Sequence, residues 1–592
     1  MKQVSENSSG ARGPLGVLRL GFRYFFGAIG TVITLVLALP ATLIMSLVSW
    51  PSAQTFPVTF RQAIRLFPRA ARQDFDDPLH YLKLSRTEKL LYRTISRFCN
   101  ITDAIGHLFA GIGKGIVKAC KAVAHELADI VLTFKNGSMH TRLSYILMGW
   151  GSFKNGQILR GVMFALFEVV FILYMIFFGG KQLSLLPSLG KQGPIDQITK
   201  VEVLPGMFVN QTTKIPQDNS FRILLYGVLT IFFIIAFIYT WRVNIRQNKI
   251  SEQILASGKK LKSGKDDLRS LVDDNFHRTL LALPMTGIIV FTVMPIVFMV
   301  LVAFTNYDGA HNGYTNNLFH WVGLDNFNTL LSWQSGSGGS VQSYAATFGE
   351  VLLWTLIWAF FATFTNYFLG MFTAMAINKK GIRFKKGWRT ILVLTIAIPQ
   401  YISLLYVSHM FAKNGIVNGF LMDLGIISKA LPFWEDPTWA RIMVIVINIW
   451  IGIPYVVLIV TGILMNIPQD LYESARIDGA SGWQQYSKIT LPYMLFVTGP
   501  YLLTSFTGNM NNFNVIYLLT GGAPTNAAAS GAAGTVGHTD LLITWLFKIT
   551  TGAESQYYMA SVIGIMVFVV VAVITLIVYS RLPSIKNEED FQ

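Results

Sequence analysis

Long apolar runs alternate with short polar segments over most of the chain. Eight of these runs are long enough to cross a bilayer, because a helical crossing needs about 20 predominantly apolar residues. The pattern therefore predicts an all-α polytopic membrane protein. The predicted transmembrane helices lie at 160–178, 221–241, 278–305, 347–377, 389–411, 437–465, 493–514 and 558–580.

The charge of the connecting segments predicts the orientation of the spans. Segment 242–277 holds eight Lys and Arg residues, segment 379–389 holds six, and segment 306–346 holds none. Because cytoplasmic loops carry the excess of Lys and Arg, the first two are expected inside and the third outside. Counting onward places 466–492 and the C-terminus in the cytoplasm and 515–557 outside.

The composition supports the same class. Of the 592 residues, 52% are hydrophobic and 13% are charged, which is about half the charged fraction of soluble domains. The net charge of +17 comes from basic residues between apolar runs, a pattern of membrane topology and not of a nucleic-acid surface. The cysteines, Cys99 and Cys120, lack metal-ligand spacing, so we expect neither a metal site nor a structural disulfide.

The first 159 residues are predicted to form an extension with membrane-associated helices. Residues 51–159 carry 15 Lys and Arg against 7 Asp and Glu, so they are expected inside. The apolar stretch 24–50 is interrupted by Pro40, which leaves two interpretations: a full span, or a broken helix that dips into the membrane. Residues 104–133 predict an amphipathic helix, either on the inner leaflet or packed on the bundle.

A charged segment between the sixth and seventh spans, YESARIDGASGWQQYSKITLP, predicts a helical hairpin. Pro468 suits the first turn of a helix, and Gly479 suits the left-handed residue that ends one. A capping box at Ser481 predicts a second helix, which Leu491-Pro492 is expected to end. About four residues would connect two helices, so the extra length favours a docking function over a plain connector.

This hairpin resembles the cytoplasmic signature of permease subunits of binding-protein-dependent ABC importers. That signature is Glu-Ala-Ala, three residues, Gly, nine residues and Ile-x-Leu-Pro, and this chain departs from it only at Ser474. In that family the hairpin is a coupling helix that binds a separate ATP-hydrolysing subunit. The resemblance implies coupling contacts at Glu473, Ser474, Ala475, Gly479, Ile489, Leu491 and Pro492.

The resemblance also implies a transport subunit rather than an enzyme, with ATP and Mg²⁺ on the partner ATPase and no cofactor in this chain. The segment GKKLKSGKD at 258–266 is not a phosphate loop, because five residues separate its glycines and Asp266 follows the Lys. The implied parts are an extension at 1–159, two accessory transmembrane helices with a basic loop at 160–277, and a six-helix core of the ABC type I importer permease at 278–592 that includes the hairpin at 466–492.

Ser505, Asn509 and Asn512 are spaced i, i+4 and i+7, which predicts one polar face on the seventh span. Amides and hydroxyls in a membrane helix are costly unless they pair or face a water-filled cavity. Asn offers both a donor and an acceptor, which suits sugar hydroxyls. Hydrogen bonding between helices is the other interpretation of this face.

Three stretches narrow the resemblance to the larger permease subunits of maltose and maltodextrin importers: INIWIGIPYVVLIVTGILMNIPQDLYE, SFTGNMNNFNVIYLLTGGAP and GHTDLLITW. Ile396, Gln400 and Gly508 depart from that pattern, which puts the identity of the sugar in doubt. The resemblance implies a substrate site that comprises Gln400, Asn448, Ile451, Gly452, Tyr455, Ser505, Asn509 and Asn512.

The resemblance therefore implies uptake of maltodextrin-type oligosaccharides by alternating access across a bacterial cell membrane. The expected partners are a second homologous permease, an ABC ATPase dimer, an extracytoplasmic sugar-binding protein, the oligosaccharide and membrane lipid, but no nucleic acid. One alternative is a permease for a different oligosaccharide. An ion-coupled secondary transporter is less favoured, because the spans hold little beyond Glu168 as an interior ionisable residue.

Overall fold

Helices that cross a membrane dominate the structure. Seven helices in the described part of the chain are long and apolar enough to cross, and a bent pair makes up to eight crossings. All eight predicted spans fall on these helices, so the polytopic helical fold is confirmed. The computed structural model describes residues 115–191 without 116 and 119, and 195–204, 207–215, 218–261, 264–311, 317–332, 344–379, 381–530, 534–552 and 555–579.

The α-helices are numbered in chain order. They are α1 (Met139–Leu143), α2 (Trp150–Lys154), α3 (Ile158–Tyr174), α4 (Gly180–Leu185), α5 (Ser220–Ala256), α6 (Gly264–Val272), α7 (Phe276–Ile288), α8 (Met294–Val302), α9 (Asp325–Leu331), α10 (Tyr344–Asn378), α11 (Lys385–Ala397), α12 (Gln400–Met410), α13 (Ile416–Asp423), α14 (Pro437–Leu464), α15 (Gln469–Ile477), α16 (Gly482–Gln485), α17 (Leu491–Met510), α18 (Phe513–Leu519), α19 (Leu542–Thr551) and α20 (Tyr557–Tyr579).

Three of the crossings contain a π-helical turn that joins two α-helices into one. The eight crossings are α3–α4, α5, α7–α8, α10, α11–α12, α14, α16–α17 and α20. The π-turns are Met175–Gly179 between α3 and α4, Ile289–Val293 between α7 and α8, and Tyr486–Thr490 between α16 and α17.

The fifth predicted span, 389–411, is not one straight helix. Helices α11 and α12 meet at an angle of 91° across Ile398 and Pro399. Proline restricts the residue before it to extended backbone, so Ile398, at φ −79° and ψ 126°, ends α11 there. The single-helix prediction for this span is therefore wrong.

A β-hairpin adds to the helical fold. Strand β1 (Ile195–Leu204) pairs antiparallel with β2 (Met207–Ile215), with Ile195 opposite Ile215. The alternation in KVEV and the Pro-Gly turn are ordinary hairpin signals. The hairpin was not predicted, because its strands of 10 and 9 residues are much shorter than the apolar runs that indicate membrane spans.

Contacts divide the chain between Asn136 and Gly137, a boundary earlier than the 159/160 division expected from the sequence. In the first unit, residues 120–136 are helical, and Val123, Leu127 and Val131 are each more than half exposed. The helical part of the prediction for 104–133 is confirmed in these residues, and the amphipathic packing stays a prediction. The stretch 24–50 lies outside the described residues.

In the second unit, the segment before α3 packs against the extended end of α5. Helix α5 has 37 residues, so it is about 55 Å long and exceeds the ~30 Å hydrocarbon layer. The Gly149 N–H donates to Asn244 Oδ1 at 3.1 Å, and the Met148 N–H donates to Glu168 Oε2 at 2.8 Å. Glu168 therefore has a structural partner within the chain.

Glycines allow this close packing. Gly149 has φ +84°, and a Cβ there would lie 2.3 Å from the carbonyl oxygen of Gly161. A Cβ on Gly151 would lie 2.6 Å from Asn248 Oδ1. Gly149 and Gly151 in the sequence MGWGSFKNG are thus explained by the close approach of neighbouring elements.

Gly149→Ala is expected to lower the unfolding temperature of the purified protein far more than Gly156→Ala. Both positions are left-handed, so each substitution costs about 1–2 kcal/mol in backbone strain. Only at Gly149 does the new Cβ also collide with another backbone, because Gly156, at φ +76°, has open space around its Cβ position. Equal losses in a thermal unfolding assay in detergent would contradict this packing.

Helix α10 lies at the centre of the remaining bundle, where it packs against α14 and α17. Trp358 and Tyr367 are fully buried on α10. The Trp358 indole N–H donates to the Asn509 carbonyl at 3.0 Å, and the Tyr367 hydroxyl lies 2.7 Å from Thr498 Oγ1. These bonds fix the distance between α10 and α17, and they position the site described next.

Candidate functional site

A polar cavity of about 180 Å³ lies among α10, α12, α14 and α17. Its walls are hydroxyl, amide and aromatic groups, and none of the residues that line it is charged. The lining residues are Thr363, Asn366, Tyr367, Gln400, Asn448, Ile451, Gly452, Tyr455, Val456, Tyr501, Ser505 and Asn509.

The structure brings together seven of the eight residues that the resemblance assigned to a substrate site. Three separate helices contribute them, although Gln400 and Asn509 are more than a hundred positions apart in the sequence. Their convergence on one cavity follows from the packing of α14 and α17 against α10. The seven residues are Gln400, Asn448, Ile451, Gly452, Tyr455, Ser505 and Asn509.

Asn512 does not lie on the helical face predicted for it. Helix α17 ends at Met510, and Asn512 is the N-cap of α18, where its Oδ1 accepts the Val515 N–H at 3.3 Å. It is absent from the cavity lining but donates weakly to Asn509 Oδ1 at 3.4 Å. The spacing i, i+4, i+7 places Asn512 on the same face only if the helix continues to it, and α17 ends two residues before Asn512.

Helix α10 supplies a wall that the sequence analysis missed. Thr363, Asn366 and Tyr367 line the cavity from this side, and Tyr501 lines it from α17. Thr363 Oγ1 accepts the Asn509 Nδ2–H at 3.0 Å and so orients that amide. The sequence contained a signal for this wall, because Thr363 and Asn366 lie one turn apart in an apolar span. Such a pair indicates a cavity or an interhelical contact.

The bend between α11 and α12 places Gln400 at the cavity. Gln400 is the first residue of α12 and lines both this cavity and a smaller neighbouring one of about 60 Å³, which also contains Trp450. Of the two other departures from the maltose-type pattern, Ile396 is absent from both linings, and the Cβ position of Gly508 faces open space.

The predicted hairpin between α14 and α17 is present. Helix α15 ends before Gly479, which has φ +76°, as expected. Ser481 Oγ accepts the Gln484 N–H at 3.3 Å and the Ser481 N–H donates to Gln484 Oε1 at 2.7 Å, so the predicted capping box is confirmed. The Tyr472 hydroxyl lies 2.9 Å from Thr490 Oγ1 and ties the two arms together.

The second arm does not end at Leu491-Pro492, contrary to the prediction. Residues Gly482–Met510 form one continuous helical segment of 29 residues. The π-turn Tyr486–Thr490 directly precedes the proline. Pro492 thus occupies the first turn of α17, where its missing N–H is tolerated.

Comparison with known proteins identifies the family. Residues 366–584 match the family described as a binding-protein-dependent transport system inner membrane component. The maltodextrin transport system permease protein MalC of Streptococcus pneumoniae is 33% identical over 454 residues, which cover 75% of this chain and 96% of MalC. The chain belongs to this permease family.

Two further relatives of the permease are equally identical to it but match different lengths of its chain. The galactooligosaccharides transport system permease protein GanP of Bacillus subtilis is 33% identical over 446 residues, which cover 75% of the permease and 97% of GanP. The maltose/maltodextrin transport system permease protein MalF of Escherichia coli K12 is 33% identical over 234 residues, which cover 39% of the permease and 44% of MalF.

The predicted outer segment of the permease, 515–557, folds over the ends of α10 and α14. The Trp354 indole N–H donates to the Thr539 carbonyl at 3.2 Å, and Arg441 Nε donates to the His538 carbonyl at 2.8 Å. The Arg441 guanidinium also stacks on the Trp354 ring at 4.7 Å. Burial and the nearby Arg441 charge lower the pKa of His538, and the Glu350 carboxylate opposes that shift.

A buried ion pair organises this outer segment. Asp540 is fully buried, and its Oδ2 lies 2.6 Å from Lys548 Nζ on α19 and accepts the Gly537 N–H at 2.7 Å. Burial raises the pKa of the Asp540 carboxyl, while the Lys548 charge and the hydrogen bonds from Lys548, Gly537 and Thr544 limit the rise. Loss of either partner would leave a charge without compensation.

Lys548→Met is expected to destabilise the permease by about 3–5 kcal/mol, because it leaves Asp540 unpaired. The substitution also raises the pKa of the Asp540 carboxyl in the folded protein further above its pKa in the unfolded chain. A raised carboxyl pKa gives stability that is present at low pH and lost as pH rises through the folded pKa. The deficit in unfolding temperature should therefore be larger at pH 7.5 than at pH 5.

Adding Asp540→Asn to Lys548→Met should recover most of the lost unfolding temperature and remove its pH dependence. The neutral amide keeps an acceptor for the Gly537 N–H without a buried charge. A double variant as unstable as Lys548→Met, at both pH values, would show that the ion pair is not the cause.

Proposed function

We propose that this chain is the permease subunit of an ABC importer that takes up neutral oligosaccharides, most closely of the maltodextrin type, by alternating access. The observation that carries the proposal is the convergence of Gln400, Asn448, Tyr455, Ser505 and Asn509 on one uncharged polar cavity inside the membrane bundle. The names of MalC and MalF support maltodextrin as the cargo. The name of GanP supports galacto-oligosaccharide as a second candidate.

The cavity chemistry supports a neutral sugar. Hydroxyl and amide groups supply donors and acceptors for sugar hydroxyls, and Tyr455 offers an aromatic ring beside them. A carboxylate-bearing sugar would need a cationic partner in a low-dielectric site, and the cavity lining contains no Lys or Arg. The site also lacks paired ionisable residues of the kind that ion-coupled transporters use.

The hairpin supports coupling to a separate ATPase dimer on the cytoplasmic side. Ile477 is 88% exposed at the end of α15, and Trp483 is 69% exposed in the first turn of α16, at the hairpin end of the crossing α16–α17. Such apolar side chains at the tip of a hairpin suit a groove on a partner protein. Glu473, Ser474 and Gly479 lie on the exposed surface of the same hairpin.

Motion at the hairpin has a direct covalent route to the sugar site. Helix α16, its π-turn and α17 run from Gly482 to Ser505 without a break, a distance of about 35 Å. ATP binding on the partner would move the hairpin and, with it, the wall that carries Ser505 and Asn509. A sugar-loaded binding protein would dock on the outer side, near 515–557, and a second permease would occupy the second groove of the ATPase dimer. The C-terminus would lie in the cytoplasm.

Ser505→Ala combined with Asn509→Ala is expected to reduce oligosaccharide uptake about tenfold or more, because two sugar-facing polar groups are lost. The measurement is uptake by the complex reconstituted in vesicles with its binding protein, across maltodextrins and galacto-oligosaccharides. Thr504→Ala is the matched control, since Thr504 is exposed on the same helix and bonds only to the Pro500 carbonyl.

Wild-type uptake of maltodextrins alone would support the maltodextrin assignment, and uptake of galacto-oligosaccharides alone would replace it with the second candidate. Unchanged uptake in the double alanine variant would return Ser505 and Asn509 to a role in bundle packing. Uptake driven by an ion gradient without ATP would overturn the importer proposal altogether.

Gly479→Pro and Glu473→Lys are each expected to uncouple ATP hydrolysis from sugar uptake, so that fewer sugars enter per ATP hydrolysed. Proline cannot adopt the φ of +76° found at Gly479, and the lysine reverses a charge on the docking face. Gly482→Ala is the control, because its Cβ position is open. A normal ratio of sugar to ATP in both variants would exclude the hairpin as the coupling element.

A further inference from the structure

Asn366 on α10 carries a buried polar atom without a partner, and this atom belongs to the cavity lining. The side chain is 8% exposed, and its Oδ1 has no hydrogen bond. Its Nδ2 donates to the Ala362 carbonyl at 2.8 Å, which fixes the orientation of the amide. The unpaired atom of Asn366 is therefore an acceptor.

Asn448 on α14 carries an unpaired donor, whereas the unpaired atom of Asn366 is an acceptor. It is 6% exposed, lines the same cavity, and its Nδ2 has no hydrogen-bond partner. The two residues are neighbours, because Asn366 Nδ2 lies 3.4 Å from the Asn448 carbonyl oxygen. An unsatisfied buried polar group costs about 1–3 kcal/mol, so two such groups on the lining of one cavity indicate a site for a ligand.

Gly452 permits this arrangement. A Cβ at Gly452 would lie 2.4 Å from Asn366 Nδ2, so any larger residue would push the amide away from its place. The glycine, one helical turn after Asn448, thus admits the α10 amide into the space between the two helices. This close approach connects Asn366 to the residues that the sequence assigned to the site.

We propose that Asn366 binds a hydroxyl group of the transported sugar together with Asn448, which the resemblance already assigned to the site, and that α10 is thereby a fourth wall of the specificity site. The inference rests on the proposed function. A hydroxyl can donate to Asn366 Oδ1 and accept from Asn448 Nδ2, so a single hydroxyl satisfies both atoms. A carboxylate has no proton to donate to Asn366, and a deoxy position offers neither interaction. The pair therefore selects for a free hydroxyl at one position of the glycan.

The test compares Asn366→Leu with the wild type on a set of maltotriose analogues, each lacking one hydroxyl. The reconstituted complex is used with saturating binding protein, and the readout is the ratio of variant to wild-type uptake for each analogue. Because both complexes receive the same loaded binding protein, differences in its affinity cancel. Uptake of unmodified maltotriose is expected to fall about tenfold in Asn366→Leu.

For the analogue that lacks the bound hydroxyl, the two complexes should transport at rates within about twofold of each other, and the tenfold gap should persist for the others. A uniform tenfold gap across all analogues would overturn the inference, since it would indicate a packing role. Thr365→Val is the control, because Thr365 lies beside Asn366 on α10 but is half-buried and absent from the cavity lining.

A second variant keeps the test decisive if Asn366→Leu fails to assemble. Asn448→Leu removes the other half of the pair. Its uptake should match that of the wild type for the same single analogue and fall below it for the others. A match between Asn448→Leu and the wild type on a different analogue would overturn the pairing. If the wild-type complex transports no maltotriose or galacto-oligosaccharide at all, the proposed function fails. If the wild-type complex transports these sugars and each variant lowers uptake by the same factor for every analogue, only the pairing of Asn366 with Asn448 fails.

Discussion

Hydrocarbon surroundings leave a polar group no water to bond with, and this constraint organises the whole bundle. Threonines within the spans form hydrogen bonds inside their own helix. Thr355 and Thr373 on α10 and Thr498 on α17 each donate to the carbonyl four residues before them. Indole N–H groups form hydrogen bonds between helices, as Trp358 does at the Asn509 carbonyl. Against that background, the unpaired amide atoms of Asn366 and Asn448 are exceptions, and both lie on the same cavity.

The same constraint explains why a long continuous helix is suited to carry motion through this membrane protein. A break inside the hydrocarbon layer would expose backbone groups, and α16, the π-turn and α17 form one continuous helical segment from Gly482 to Met510. Pro492 lies in the first turn of α17, and Pro500 in its interior is the position where the segment lacks a backbone donor. The irregular turn is confined to Tyr486–Thr490, near the hairpin, where Tyr472 braces it through Thr490. In the proposed mechanism, a displacement of the hairpin would therefore reach Ser505 and Asn509 through a helix rather than through a flexible loop.

Much of this architecture could be predicted from sequence, because the length of an apolar run and the charge of a loop are local properties. The capping box at Ser481 and the left-handed Gly479 were predictable for the same reason. Three of the failures concern where a helix ends: the bend at Pro399, the continuation through Pro492 and the early end of α17 before Asn512. Each depends on a balance between backbone restriction and neighbouring contacts, which a periodic pattern does not contain. The α10 wall was missed because its partners lie on distant helices.

The size of the cavity bears on how much of the site this chain supplies. At about 180 Å³, it is smaller than the roughly 300–1,000 Å³ of typical small-molecule sites, and a trisaccharide does not fit inside it. Its walls nevertheless already present donors, acceptors and an aromatic ring from four helices. The chain therefore offers one face of a larger site, and Tyr455 and Gln400, both exposed, lie at its open edge. In the proposed complex a second permease would close that edge. Asn366 and Asn448, which are both buried, would then select one hydroxyl whichever partner completes the opposite face.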